Sequence, residues 1–166
     1  MTNHARSKKW NKQRLIELGS ELREGNLENF SEFYELTKRQ VYYGAYAIAH
    51  DSALAEDILQ DSYVKFLENT SKLKKNTNPL GYLLVITRNT AYNLMKHRSF
   101  ERTEYEDENL FIPTYDEKPS DEQKVFAKVR EILTPDEYEI IILRVINELP
   151  HKQIAKIMKK PLGTVQ

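Results

Sequence analysis

Residues 70–98 read TSKLKKNTNPLGYLLVITRNTAYNLMKHR, and the stretch contains no acidic residue. Its first nine residues, rich in Lys and Asn, form a loop, and Pro79 suits the first turn of a helix because its missing N–H has no partner there anyway. From Leu80 two stripes separate at helical spacing. One is Leu80, Leu83, Leu84, Thr87, Ala91, Leu94 and Met95, expected to be buried. The other is Val85, Arg88, Asn89, Tyr92, Asn93 and Lys96, expected to be free. A helix of this kind needs other helices to cover its apolar stripe, so the stretch places the chain in the all-α class.

Immediately upstream, residues 50–66 (HDSALAEDILQDSYVKF) show the opposite bias. A helix over 53–69 buries Ala55, Ile58, Leu59, Ser62, Tyr63 and Phe66 and leaves Asp57, Gln60, Asp61, Val64 and Glu68 outside. A chain of 166 residues with formal net charge zero has therefore sorted its charge into blocks. Such sorting implies one surface for a polyanion and another for a basic partner.

Outward from this pair, residues 11–24 suit a short helix ended by Gly25, behind a mobile basic tail over 1–10. Phe30, Phe33, Tyr34, Val41, Ala45 and Ile48 mark a helix that runs to His50. Residues 99–122 carry nine acids, two prolines and no sustained period, the composition of a linker; a solvated spacer is the expected role, and shielding of the basic helix behind it is the alternative. Beyond it come helices over 122–133, from Thr134-Pro135 to Leu149-Pro150, and over 151–158. A turn at Lys159–Leu162 leads into a helix opened by Gly163-Thr164-Val165. The middle helix of this group, EYEIIILRVINE, is apolar nearly all round and forms the core of a second small domain.

Several function classes are disfavoured. No cysteine is present, so disulfides and thiolate metal sites are excluded. His4, His50, His97 and His151 are scattered, and no glycine-rich phosphate loop or HExxH pattern occurs, so neither catalysis nor a cofactor is expected. No apolar run approaches a membrane span, and the basic N-terminus lacks a signal peptide's apolar stretch, so a soluble, cytoplasmic protein with no membrane partner is expected.

Nucleic-acid binding fits better. The cationic loop and helix can track a phosphate backbone, while Tyr92 with Asn78, Asn89 and Asn93 offers stacking and amide contacts for unpaired bases. Tyr82 is expected to be at least half-buried. The run QIAKIMKKPLGTV has a helix-turn-helix pattern, whose second helix would enter a major groove, and an ordinary helical hairpin is its alternative. Lys152, Lys156, Lys159 and Lys160 would suit phosphates.

These residues carry a likeness to a known family. DSALAEDILQDSYVKFLEN resembles the RNA-polymerase-binding helix of the bacterial sigma-70 family, extracytoplasmic-function (ECF) type. NPLGYLLVITRNTAYNLMKHRS resembles the promoter-melting helix that follows it, and LTPDEYEIIILRVINELPHKQIAKIMKKPLGTV the −35-reading domain. The resemblance implies two small helical domains: a basic extension over 1–25, a polymerase-binding and −10-melting domain over 26–98, an acidic linker over 99–122, and a helix-turn-helix domain over 123–166. It implies that Asp57, Gln60 and Asp61 dock on the β′ clamp helices of core RNA polymerase, with the β flap as a further contact. Lys74, Asn78, Asn89, Tyr92 and Asn93 would hold a flipped base of the −10 non-template strand, with Arg88 and Lys96 on backbone phosphate. Lys152, Lys160, Thr164 and Gln166 would face the −35 element, and an anti-sigma factor is a further implied partner.

Three departures from the pattern stand out. Lys159 occupies a turn position usually held by glycine, Tyr82 replaces the usual tryptophan, and the chain ends within the reading helix, as a truncated helix-turn-helix would. The expected function is a sigma factor that brings polymerase to promoters and opens the −10 region. The alternatives are a sigma-like regulator that binds polymerase or DNA without initiating alone, and a helical protein-interaction module.

Overall fold

A computed structural model describes the backbone of residues 3–104 and 121–166 and the side chains of 11–101 and 121–166. Among these residues all regular structure is helical: α1 (Asn3–Arg23), α2 (Phe30–Ala49), α3 (Ser52–Glu68), α4 (Leu80–Glu104), α5 (Asp121–Ile132), α6 (Pro135–Val145), α7 (His151–Met158) and α8 (Leu162–Val165). A single 3-10 turn lies at Thr70–Lys72. The fold is all-α, with two helical domains, α1–α4 and α5–α8.

The first domain is built on α2, α3 and α4. Phe33 is fully buried at its centre, stacked on Phe66 with ring centroids 5.2 Å apart and edge-on to Tyr63 at 6.4 Å. The Tyr63 hydroxyl is buried too, and it shares a 2.6 Å hydrogen bond with Thr37. The expected apolar stripe of α3 is buried in full, with Leu54 added. Asp51 starts this helix, its Oδ1 accepting the Leu54 N–H at 2.8 Å.

Two elements are longer than expected. α1 begins at Asn3, inside the stretch read as a tail. Leu15, Leu18 and Leu22 on α1 join the core of Phe33 and Phe66, and Arg14 grips Glu32 through two hydrogen bonds of 2.9 and 2.7 Å. Gly19 allows this approach, since a Cβ there would stand 2.9 Å from the Pro79 ring. α4 runs to Glu104 rather than stopping at Arg98, because nothing in RSFERTE breaks a helix. The acidic stretch over 105–120 lies outside the described residues, and so do both roles considered for it.

The second domain follows its sequence signals closely. Thr134 and Glu137 form a reciprocal capping box with Pro135 in the first turn of α6. Pro150 starts α7, which buries Ile154, Ala155, Ile157 and Met158. α7 ends on Lys159 in the left-handed region (φ 53°, ψ 44°), and the Lys160 N–H returns to the Ala155 carbonyl at 2.9 Å. A side chain there crowds its own backbone, which glycine avoids. Lys159→Gly is expected to stabilise the protein by about 1 kcal/mol. Thermal denaturation should show the midpoint rising by about 2–4 °C, and a fall would remove the claim of strain.

The domains share apolar clusters. Tyr43 and Ala47 of α2 pack on Tyr138 and Ile142 of α6, and Leu80 and Leu84 of α4 pack on Leu143 and Ile154. Gly81 lies where α7 meets α4, and a Cβ on it would run into the Gln153 amide. The second domain is thereby seated across α2 and α4.

Candidate nucleic-acid and protein interfaces

The acidic face of α3 is free because the opposite face is fully used by the core. Asp57, Gln60 and Asp61 are exposed, and Val64 beside them is 55% exposed. Among the described residues Asp61 pairs with Lys65 one turn on, at 2.7 Å and in solvent, where such a pair adds little. Asp57 and Gln60 have no partner among the described residues.

On α4 the expected free stripe is only partly free. Asn89, Asn93 and Lys96 are exposed, as is Lys74 in the preceding loop. Asn78 is engaged as a cap, its Oδ1 accepting the Leu80 N–H at 2.9 Å. Tyr82 is half-buried against Phe66, with ring centroids 6.2 Å apart. Tyr92 is exposed as expected, whereas Val85 and Arg88 are partly covered, contrary to the stripe expected for them. Val85 joins the apolar cluster of Leu143 and Ile154, which brings α6 across the helix. Arg88 Nε then donates to Oε1 of Glu139 on α6 at 2.7 Å. The Tyr92 hydroxyl donates to Oε2 of the same carboxylate at 3.2 Å, and the Arg88 guanidinium lies 4.6 Å from the Tyr92 ring centroid. Burial, and then the Glu139 charge, raise the Tyr92 hydroxyl pKa above its ordinary value.

In the second domain Lys152 is exposed on α7, and Thr164 and Gln166 are exposed at α8. Lys160 does not stand ready for a phosphate, since its ammonium pairs with Asp136 on α6.

Folding brings two of these sets together. A cleft of about 640 Å³ opens between the loop before α4 and α7. Lys72, Lys74 and Asn78 line one wall, Lys152, Gln153 and Lys156 the other, and no acidic residue lines it. Lys74, Lys152 and Lys156 have no ion-pair partner among the described residues. The cleft is suited to an anionic ligand. Among the described residues no cluster of His, Asp or Glu could hold a metal ion, and no helix is long and apolar enough to cross a membrane.

Sequence reasoning missed the acids that join the domains. Glu139 is buried, and Glu122 of α5 accepts from Arg39 at 3.0 Å and from the Tyr43 hydroxyl. The Tyr43 hydrogen bond is the largest influence holding the Glu122 carboxyl below its ordinary pKa, while burial first and then Glu122 push the Tyr43 hydroxyl up to about 12. The available signal for Glu139 was a lone acid in the otherwise apolar run YEIIIL. Two further polar groups are buried near this seam. Both amide atoms of Asn147 and Nδ1 of His50 have no hydrogen-bond partner. Burial, with a smaller contribution from Arg130, lowers the His50 pKa to about 4, so its ring is neutral at pH 7.

Comparison with known proteins gives two family matches. Residues 33–101 match the model of sigma-70 region 2, and residues 131–166 match that of sigma-70 region 4. The fold is similar to that of the sigma factor RpoE from Bartonella quintana, solved as a co-crystal with the anti-sigma factor NepR. That likeness has a TM-score of 0.66 at 24% identity and covers 83% of this chain and 88% of that one.

Proposed function

The chain belongs to the sigma-70 family, and from that membership we propose how each of its surfaces is used. It is a sigma factor with the region 2 and region 4 pair of the ECF type; it directs RNA polymerase and performs no chemistry of its own.

The acidic face of α3, with Asp57, Gln60 and Asp61, docks on the β′ clamp helices of core polymerase. The α4 face takes the −10 element. Asn89 and Asn93 read an unpaired base, Tyr92 stacks on it, and Arg88, Lys74 and Lys96 hold backbone phosphate. Asn78 sets the start of α4 as its cap and so positions this face. Capturing a flipped base offsets its unpairing, which costs a few kcal/mol as an order of magnitude. In the second domain Lys152, Thr164 and Gln166 face the −35 element, with Lys160 joining them once released from Asp136, and the same domain meets the β flap. The similar RpoE is held by an anti-sigma factor, and we assign this chain a partner of that kind. The protein acts in the cytoplasm, where polymerase and promoters are.

The observation that carries this reading is the separation of an exposed acidic face on α3 from the acid-free stretch over 70–98, the loop and most of α4, directly after it. The test is transcription in vitro with core polymerase and the protein. Promoter-specific transcripts are expected from a genomic promoter library. Polymerase binding without any transcript would favour the regulator reading instead.

A further inference from the structure

The loop that precedes α4 is short and tied at both ends. Leu73, at its start, is buried in the core with Leu15, Leu18 and Leu22 of α1. Its carbonyl accepts a 2.8 Å hydrogen bond from Nε of Arg23, the last residue of α1. A charged donor makes this bond stronger than one between neutral groups. At the far end Pro79 is buried against Gly19 of α1, so close that a Cβ on Gly19 would stand 2.9 Å from the proline ring. That ring cannot swing aside as a flexible side chain could. Between these anchors only residues 74–78 remain, and Lys74, Lys75, Asn76 and Thr77 are exposed.

What holds the loop from within is weaker. Thr77 Oγ1 donates to the Lys74 carbonyl at 2.8 Å in solvent, where water competes for both groups. Asn76 takes the left-handed conformation at φ 55°, which costs an asparagine less than most residues but is not free. Asn78 is fixed separately, as the cap of α4. A loop strained at one residue and bonded internally in solvent keeps one shape mainly through its ends. Both ends are held by α1, and α1 precedes the residues that match sigma-70 region 2.

We propose that α1 is a positioning element for promoter DNA: Arg23 and Gly19 fix the 74–78 loop in the shape in which it meets the unpaired −10 strand. The proposal rests on the reading of this loop and the α4 face as the −10 strand site. Neither Arg23 nor Gly19 needs to touch the strand. A loop shaped in advance loses less conformational entropy on binding, so freeing it lowers affinity without removing a contact. The N-terminal helix thereby acts in strand capture through the loop rather than through contacts of its own.

The test uses the full chain and two measurements. Strand affinity is read with a dye-labelled, T-rich single-stranded oligonucleotide. Loop motion is read from a spin label at Lys75→Cys, since the chain has no cysteine of its own. Arg23→Gln is expected to weaken strand binding about tenfold, or about 1.4 kcal/mol, and to raise the label's nanosecond mobility. Gly19→Ala changes no charge and should move both readouts in the same direction. Ile58→Val trims the cluster of Ala45, Ala55 and Ala91, away from α1; it should lower the melting midpoint and leave both readouts unchanged. Arg23→Gln also removes a cation, so the ratio of parent to variant affinity is followed as salt rises. The ratio should hold; one that shrinks marks a screened charge and overturns the proposal. Weaker binding with unchanged label mobility overturns it too, as does an equal loss of affinity in Ile58→Val. Binding that falls with Asn89→Ala but not with Arg23→Gln removes the positioning role and leaves the strand-site reading standing. Binding indifferent to Asn89→Ala, or absent throughout, overturns both.

Discussion

Asp57→Arg combined with Asp61→Arg is expected to abolish capture of core RNA polymerase. Both side chains are exposed on α3, on the face opposite the core, so the fold has no reason to change. Within the chain the double exchange breaks the Asp61–Lys65 pair, which lies in solvent and is worth about 0–1 kcal/mol. Against a basic partner surface it replaces two attractions with two repulsions. Like charges brought together at an interface cost several kcal/mol, on the order of a hundredfold or more in affinity. A pull-down with tagged variant and purified core polymerase checks this, with circular dichroism as the control for folding. Retained capture by a folded double variant would remove the clamp assignment. The loss should be most complete at low ionic strength, where the new repulsion is least screened, and a variant whose residual capture falls as salt rises would have the wrong sign for such repulsion.

Phe33→Ala is expected to cost the first domain about 4 kcal/mol, in the range for truncating a buried aromatic side chain. Phe33 is fully buried, stacks on Phe66 and meets Tyr63 edge-on. It ties α2 to α3 and also contributes to the cluster that holds Leu15, Leu18 and Leu22 of α1. Removing its ring opens a cavity that neighbouring rings cannot fill without leaving their own contacts. Because domains of this size are stable by only about 5–15 kcal/mol, much of the margin would go. Urea denaturation followed by circular dichroism measures the destabilisation. A change under about 1 kcal/mol would mean that the centre of the core lies elsewhere.

Most of the architecture was legible from spacing. The Ala55–Phe66 stripe, the Thr134-Pro135 start of α6 and the bounds of α7 are local signals, and the chain obeys them. The position of Lys159 at a left-handed turn was legible too, since the motif asks for glycine there. Less legible was the reach of α1 back to Asn3: before Leu15 its apolar residues are Ala5 and Trp10 alone, too few to carry a periodic signal.

The site divides in the same way. Exposure of Asp57, Gln60 and Asp61 follows from the periodicity of one helix, because burying one face of α3 frees the other. The states of Arg88 and Tyr92 do not follow from α4 alone. On that helix they belong to the outward stripe, and the Arg88 guanidinium and the Tyr92 hydroxyl are engaged only because Glu139, 51 residues after Arg88, is folded onto them, while the Tyr92 ring stays 42% exposed. Lys160 is likewise occupied by Asp136, 24 residues earlier.

By itself the sequence determined the helices, their caps, the all-α class and the two charge blocks, since each depends on neighbours within a few turns. Only the tertiary structure decided which of those charges remain available. A side chain's freedom depends on what distant chain is packed over it, and here that packing set a carboxylate of the second domain against the arginine and tyrosine of the first.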